Sequence, residues 1–136
     1  MKLSDNQIIF SLNVADLIYY ANSLGIGLTF GEAYRTKDQQ KLYYYGYALK
    51  VKDSVLDLVK GKRRSKTLNS RHLKRLAVDF NFFIDGKLIY DKKTIQVLGD
   101  FWESLHPKNR WGGNFKIKVD GVLEDWADTP HFEMKI

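Results

Sequence analysis

Apolar and polar residues change period several times along the chain, and each change marks an element. Ile8, Ile9, Leu12, Ala15, Leu17, Ile18 and Tyr19 recur at roughly helical spacing, the stripe by which an amphipathic helix faces a core. Ser4 and Gln7 have the spacing of a capping box at its start, and Asn22–Gly25 supplies the stop, glycine being suited to a left-handed cap. Leu28–Tyr34 reads as a strand. Thr36 and Gln39 repeat the capping-box spacing and open a second helix toward Gly46. From Tyr47 to Asn69 the periodic signal is poor: Ser54–Lys60 reads as a helical turn and the residues after it as a loop.

Ala77–Ile84 carries the clearest pattern. Val78, Phe80, Phe82 and Ile84 alternate with Ala77, Asp79, Asn81 and Phe83, as a half-buried strand requires. Asp85-Gly86 is a hairpin signal leading into Lys87–Tyr90. Asp91 is an N-cap for a helix over Lys92–Leu105, with Ile95, Leu98, Phe101, Trp102 and Leu105 at three- and four-residue steps and Pro107 beyond its end. Trp111-Gly112-Gly113 predicts a bend or a close backbone approach, and Thr129–Ile136 a last strand that closes the sheet. Helices lead and hairpin-linked strands follow, which predicts an α+β fold with a small antiparallel sheet packed against helices.

Composition narrows the class. The 136 residues suit one domain spanning 1–136, and no repeat, low-complexity linker or composition break divides them. A hydrophobic content of 44% with 28% charged residues is that of a soluble globular protein. There is no cysteine, so disulfides and thiolate metal sites are excluded and any metal must be held by histidine and carboxylate. The N-terminus lacks the apolar run of a secretory signal, and no window approaches the ~18 apolar residues of a membrane span. A chain of this kind is expected to be made in the cytoplasm and to need another agent to let it out.

The net charge of +6 is clustered. Lys60, Lys62, Arg63, Arg64, Lys66, Arg71, Lys74 and Arg75 follow one another with no acid among them. Two readings stand: a polyanionic partner, either nucleic acid or an anionic envelope, or a solvated loop that keeps the protein soluble.

Candidate chemistry lies in two clusters. Ser70-Arg71-His72 precedes the strand that carries Asp79, and Asp128-Thr129-Pro130-His131 precedes the last strand, where His131 and Glu133 share one face. His72 and Asp79 are an odd number of residues apart, so they meet a common ion only if the chain turns between Leu73 and Leu76. Two histidines and an aspartate, each next to strand signals, predict a zinc site with an open position. Asp128 is then either a fourth ligand or a general base, and three protein ligands plus water favour the base. The remaining histidine, His106, ends a predicted helix, where positive charge is favourable, and reads as structural.

These residues resemble a family. Ser70-x-His72 with Asp79, followed by Asp128-x-x-His131-x-Glu133, is similar to the zinc peptidases that group D-Ala-D-Ala carboxypeptidases and dipeptidases with phage L-alanyl-D-glutamate endopeptidases. Glu32-Ala33-Tyr34-Arg35-Thr36 with Gln39 resembles that family's Gly-Tyr-Arg-Thr-x-x-x-Gln segment with the glutamine one residue early, and Arg110-Trp111-Gly112-Gly113 resembles its Trp-Gly-Gly turn. Arg75 stands where the family usually has glycine, and Ala33 replaces the glycine before the tyrosine. The resemblance implies a hedgehog or D-Ala-D-Ala peptidase-like fold with a zinc site on the sheet, held by His72, Asp79 and His131. It further implies Asp128 as the catalytic carboxylate, Arg35 polarising the scissile carbonyl or binding its oxyanion, and Ser70 binding substrate. The histidine ligands need acceptors on their other nitrogens, and Glu133 or a carbonyl could serve.

The function so implied is that of an endolysin-like zinc peptidase, monomeric, acting on bacterial peptidoglycan at the L-Ala–D-Glu bond of the stem peptide. It would use no specific nucleic acid and reach the wall after release from the host cytoplasm. A D-Ala-D-Ala carboxypeptidase with the same site is the alternative within that chemistry, and a non-enzymatic basic module binding nucleic acid or envelope polyanions is the alternative outside it.

Overall fold

Alternation along Ala77–Ile84 organises the molecule in the computed structural model, which describes Met1–Ile136. The helices are α1 (Leu3–Ser23), α2 (Lys37–Tyr45) and α3 (Lys92–Leu105). The strands are β1 (Gly27–Phe30), β2 (Tyr47–Lys52), β3 (Val55–Lys60), β4 (Ala77–Ile84), β5 (Lys87–Ile89), β6 (Asn109–Trp111), β7 (Lys116–Val119), β8 (Val122–Asp125) and β9 (His131–Met134). Five strands form the main antiparallel sheet in the order β1-β4-β9-β6. One edge of β4 pairs with β1, while its other edge takes β9 along Ala77–Asp79 and then β5 along Phe82–Ile84. The fold is α+β.

Val78, Phe80 and Phe82 of β4 and Phe132 and Met134 of β9 point to one side and are buried there. Phe10 and Leu17 of α1 and Ile95, Leu98 and Trp102 of α3 pack into that core, with Ala21, Ile26, Leu76 and Trp111. Trp102 is its hub: its ring meets Phe10 and Phe132 edge-on, and its indole N–H donates to the Glu133 carbonyl at 3.1 Å. Because side chains alternate across a strand, Asp79, His131 and Glu133 project from the opposite face. Packing on one face thus fixes polar chemistry on the other.

Several sequence expectations hold. α2 begins after Thr36, whose hydroxyl accepts from the Gln39 N–H at 3.2 Å, and ends at Gly46 in the left-handed region. α3 begins after Asp91, whose carboxylate accepts from the Thr94 N–H at 2.9 Å.

Others need correction. α1 starts one residue before Ser4, with Asp5 accepting from the Lys2 N–H. Its inner face is Asn6, Phe10, Asn13, Leu17 and Ala21, while Ile8, Leu12 and Tyr19 are exposed. Two asparagines in core-facing positions displace the apparent apolar stripe. β1 ends at Phe30, and the next residues follow β4 irregularly, with Gly31 N–H donating to the Asp79 carbonyl and Asp79 N–H to that of Glu32. The Ser54–Lys60 segment is β3 of a hairpin and not a helical turn. Its turn residues Asp53 and Ser54 both have positive φ, and this pair lacks the glycine that normally advertises such a turn. A further hairpin, β7–β8, turns at Asp120-Gly121, the same signal as Asp85-Gly86, and is missing from the expectation. The last strand enters the interior of the sheet between β4 and β6 instead of closing its edge.

Candidate functional site

The turn that His72 requires lies where the spacing demands it. Arg71–Lys74 forms a single 3₁₀ turn, capped by the Ser70 hydroxyl, which accepts from the His72 N–H at 3.2 Å. Arg75 then adopts φ +56, reversing the chain into β4. This is the position where the resembling pattern has glycine, and the reason is visible: the left-handed region suits glycine best. Here an arginine occupies it, with its guanidinium 4.0 Å from the centre of the Tyr34 ring. The reversal brings His72 Nε2 to 3.4 Å from Asp79 Oδ2. His72 Nδ1 lies 2.9 Å from the Ala33 carbonyl oxygen, to which it can donate, and Nε2 is the nitrogen turned toward Asp79.

His131 arrives from the neighbouring strand, paired directly with Asp79 in the β4–β9 register. Its Nδ1 is 3.2 Å from Asp79 Oδ1 and its Nε2 2.7 Å from Glu133 Oε2. Glu133 is held in turn by an ion pair with Arg110. Ligand atoms of His72, Asp79 and His131 all lie within 4.8 Å of one another. Two imidazoles and a carboxylate converging in this way, each imidazole with its second nitrogen bonded elsewhere, could hold a metal ion.

Without an ion the cluster stores a proton. Burial alone would lower the His131 pKa, but hydrogen bonds and charge from Asp79 and Glu133 outweigh it and raise the value to about 9. Burial would raise the Asp79 carboxyl, yet hydrogen bonds and charge from His131 and His72 hold it far below the usual carboxylate range. Glu133 follows the same balance, with burial overcome by His131 and then Arg110.

Arg35 comes from the irregular segment after β1, anchored by its N–H to the His72 carbonyl at 3.3 Å. Its Nε is ion-paired with Glu32, and its Nη1 donates to Gln40 Oε1 at 2.8 Å and reaches Ser70 Oγ at 3.5 Å. The Tyr43 ring lies beneath the guanidinium, and the Tyr43 hydroxyl donates to the second Glu32 oxygen at 3.1 Å. The glutamine of the site is therefore Gln40 and not Gln39. Gln40 is buried, tied by its amide to Ser65 and the Thr67 carbonyl, whereas Gln39 contributes its backbone to the helix cap. Read with Gln40, the Arg-Thr-x-x-x-Gln spacing has no residue missing. Glu32 and Tyr43, which the sequence alone gave no role, set the guanidinium's plane.

The Trp-Gly-Gly segment is a close approach of three chains. A Cβ on Gly112 would overlap the Asp128 carbonyl oxygen and stand 2.9 Å from His131 Cβ. The Asp128 N–H donates to the Gly112 carbonyl at 2.8 Å and the His131 N–H to the Asp128 carbonyl at 3.1 Å. Trp111 is fully buried, and its indole N–H fixes the Thr129 carbonyl at 2.8 Å. These bonds place Asp128 at the cleft's mouth, open to solvent on one side. The protein mass around its carboxyl raises its pKa by desolvation, against the charges of His131, His72 and Arg35, with Asp79 adding to the rise.

All six residues singled out by sequence (Arg35, Ser70, His72, Asp79, Asp128 and His131) line one cleft of about 550 Å³. His106 lies outside it, closing α3 and accepting from the Lys108 N–H. The basic stretch is only partly a free loop. Lys60 belongs to β3, Arg63 stacks over Tyr44, and Arg64, Lys66 and Arg71 line the cleft. Lys66 sits over the ring of Trp126, another lining residue, at 4.7 Å.

No protein-family profile and no curated protein sequence matches this chain. Among solved structures it is similar to the L-Ala D-Glu endopeptidase ChiX of Serratia marcescens, with 19% identity and a TM-score of 0.53 over 81% of this chain and 68% of that one. At that identity the likeness is one of fold alone.

Proposed function

We propose that this chain is a zinc-dependent peptidase that hydrolyses a peptide bond in the stem peptide of bacterial peptidoglycan, the L-Ala–D-Glu bond. The observation that carries the reading is the meeting of Arg35 and Asp128 with the His72–Asp79–His131 cluster in one cleft. A binding module has no use for a carboxylate and a guanidinium beside a set of metal ligands. The likeness to ChiX, itself an L-Ala D-Glu endopeptidase, supports the choice of bond.

His72 Nε2, a carboxylate oxygen of Asp79 and His131 Nδ1 are the atoms that would hold the ion. When bound, zinc supplies Lewis acidity and brings the pKa of a water to about 7, so that a nucleophile is present at neutral pH. Glu133 accepts from His131 Nε2–H, fixing the tautomer that offers Nδ1. Asp128, with a pKa raised by its surroundings, takes the proton of the attacking water and delivers it to the leaving amine as the C–N bond breaks. Arg35 meets the negative charge that develops on the carbonyl oxygen. Its Nε and Nη1 are engaged by Glu32 and Gln40, which leaves Nη2 for the substrate. Ser70 steadies both His72 and Arg35.

The test is digestion of purified peptidoglycan followed by mass spectrometry. Fragments with a new amino-terminal D-glutamate are expected from the zinc-loaded protein. Asp128→Asn should keep its zinc while the rate falls by ~10² to 10⁴-fold, the usual worth of general acid–base catalysis. Loss of a terminal D-alanine instead would make the protein a carboxypeptidase, and unchanged peptidoglycan would refute the proposal.

A further inference from the structure

Charge in the cleft is out of balance in a particular way. Its lining carries Arg35, Arg64, Lys66, Arg71, Arg110 and Lys116 against the carboxylates of Asp79, Glu103, Asp128 and Glu133. Most of the acids are already engaged. Asp79 faces the two histidines, Glu133 is shared by His131 and Arg110, and Glu103 accepts from the Trp111 N–H and the Asn114 amide. Of the arginines, Arg35 is paired with Glu32, Arg110 with Glu133, and Arg64 lies over the Tyr43 ring. Arg71 alone has neither a carboxylate nor a ring. Its Nε is buried and has no hydrogen-bond partner.

A buried donor on a charged group left unpaired is destabilising by itself, and native structures rarely keep one without a use. Nε and one Nη of a guanidinium form an edge that matches the two oxygens of a carboxylate. Because Nε is closed to solvent in the unbound cleft, the Arg71 side chain must turn to present that edge. Arg71 also follows Ser70 and precedes His72 on the same 3₁₀ turn. Arg71 lines the same cleft as His72, Asp79 and His131, so a carboxylate taken by this edge belongs to the part of the substrate held in that cleft.

We infer that Arg71 is a specificity residue that binds a free carboxylate on the residue following the scissile bond. The inference rests on the peptidase reading for its choice of substrate. A D-glutamate joined to the next residue through its γ-carboxyl keeps its α-carboxylate free, on the carbon that bears the scissile nitrogen. Where that carboxylate is converted to the carboxamide, the charge is gone and one acceptor oxygen becomes a donor, which the Arg71 edge rejects.

Two peptide pairs test this, each differing only in carboxylate against carboxamide at that position. One pair is the leaving fragment, D-glutamate γ-linked to L-lysine, for binding by calorimetry; the other has L-alanine in front of it, for cleavage by the zinc-loaded protein. Wild type is expected to bind and cleave the carboxylate forms about 10- to 100-fold better, the difference falling mainly in KM. Arg71→Gln should reduce both ratios to within about twofold, and Arg71→Lys should restore part of them, because it keeps the charge without the fork. Equal handling of both forms by wild type, or an undiminished ratio in Arg71→Gln with zinc content intact, overturns the inference. A carboxylate preference in binding that depends on Arg71, with no cleavage of either peptide, upholds the carboxylate site and defeats the peptidase reading instead.

Discussion

His131 Nε2 lies 2.7 Å from Glu133 Oε2 while its Nδ1 faces Asp79 across the β4–β9 pair. One short strand thus supplies both a nitrogen that could face a metal ion and the group that fixes its tautomer, because residues two apart share a face. Glu133→Gln should keep the fold and weaken zinc binding by ~10- to 100-fold, as the loss of an outer partner to a ligating histidine typically does. Competition against a fluorescent chelator measures it.

On the proposed zinc reading, the same histidine would make metal binding a proton exchange. Its folded pKa of about 9 lies above the ordinary 6.5, so near neutral pH the metal-free protein holds a proton that zinc must displace. Apparent zinc affinity should rise about tenfold per pH unit toward pH 9 and then level off. Calorimetry in buffers of different ionisation enthalpy should detect the released proton. The sign for stability is opposite: the raised pKa stabilises the metal-free fold fully below 6.5, and that contribution is lost as pH rises through about 9. Urea titrations of the chelated protein at pH 6 and pH 9.5 should show the lower midpoint at the higher pH.

Arg35 is positioned before any substrate arrives, by Glu32, Gln40 and the Tyr43 ring. If it meets charge that exists only in the transition state, Arg35→Ala should lower kcat by ~10² to 10³ with little change in KM. Gln40→Ala removes one positioning bond and should reduce kcat by only about tenfold. Steady-state kinetics on a defined muropeptide, with zinc content checked in each variant, separates the two.

The glycines of the site make a stability prediction. Gly99 and Gly113 flank the Trp111 ring so closely that a Cβ on either would overlap it, and Gly112 has the same relation to the Asp128 carbonyl. Gly99→Ala lies in α3, where alanine is the better helix former. Even so, overpacking should dominate and destabilise by about 1–3 kcal/mol, read from the urea midpoint. Gly112→Ala should in addition reduce activity more than stability, since it displaces the backbone that carries Asp128.

Much of this site was legible in the chain. Alternation through Ala77–Ile84 put Asp79 opposite the aromatic face, and the odd spacing to His72 required the turn that Arg71–Arg75 makes. Gln39 and Gln40 offer the same chemistry side by side, and only the burial of Gln40 marks it as the one that holds Arg35. Glu32 and Tyr43 act through Arg35 from separate elements, a relation no local pattern records. The β2–β3 hairpin was hidden for a different reason. Both its strands are largely exposed, so neither needed the alternation that a buried face imposes.

Titration of zinc into the metal-free protein, with cleavage of an L-Ala–D-Glu-containing muropeptide followed at each addition, bears on everything proposed here. Activity should be absent at the start and rise linearly to a plateau at one zinc per chain. His72→Ala and His131→Ala should neither bind the ion nor cleave the peptide. Cleavage by the metal-free protein, or one tightly bound zinc with the muropeptide left intact, would contradict the account.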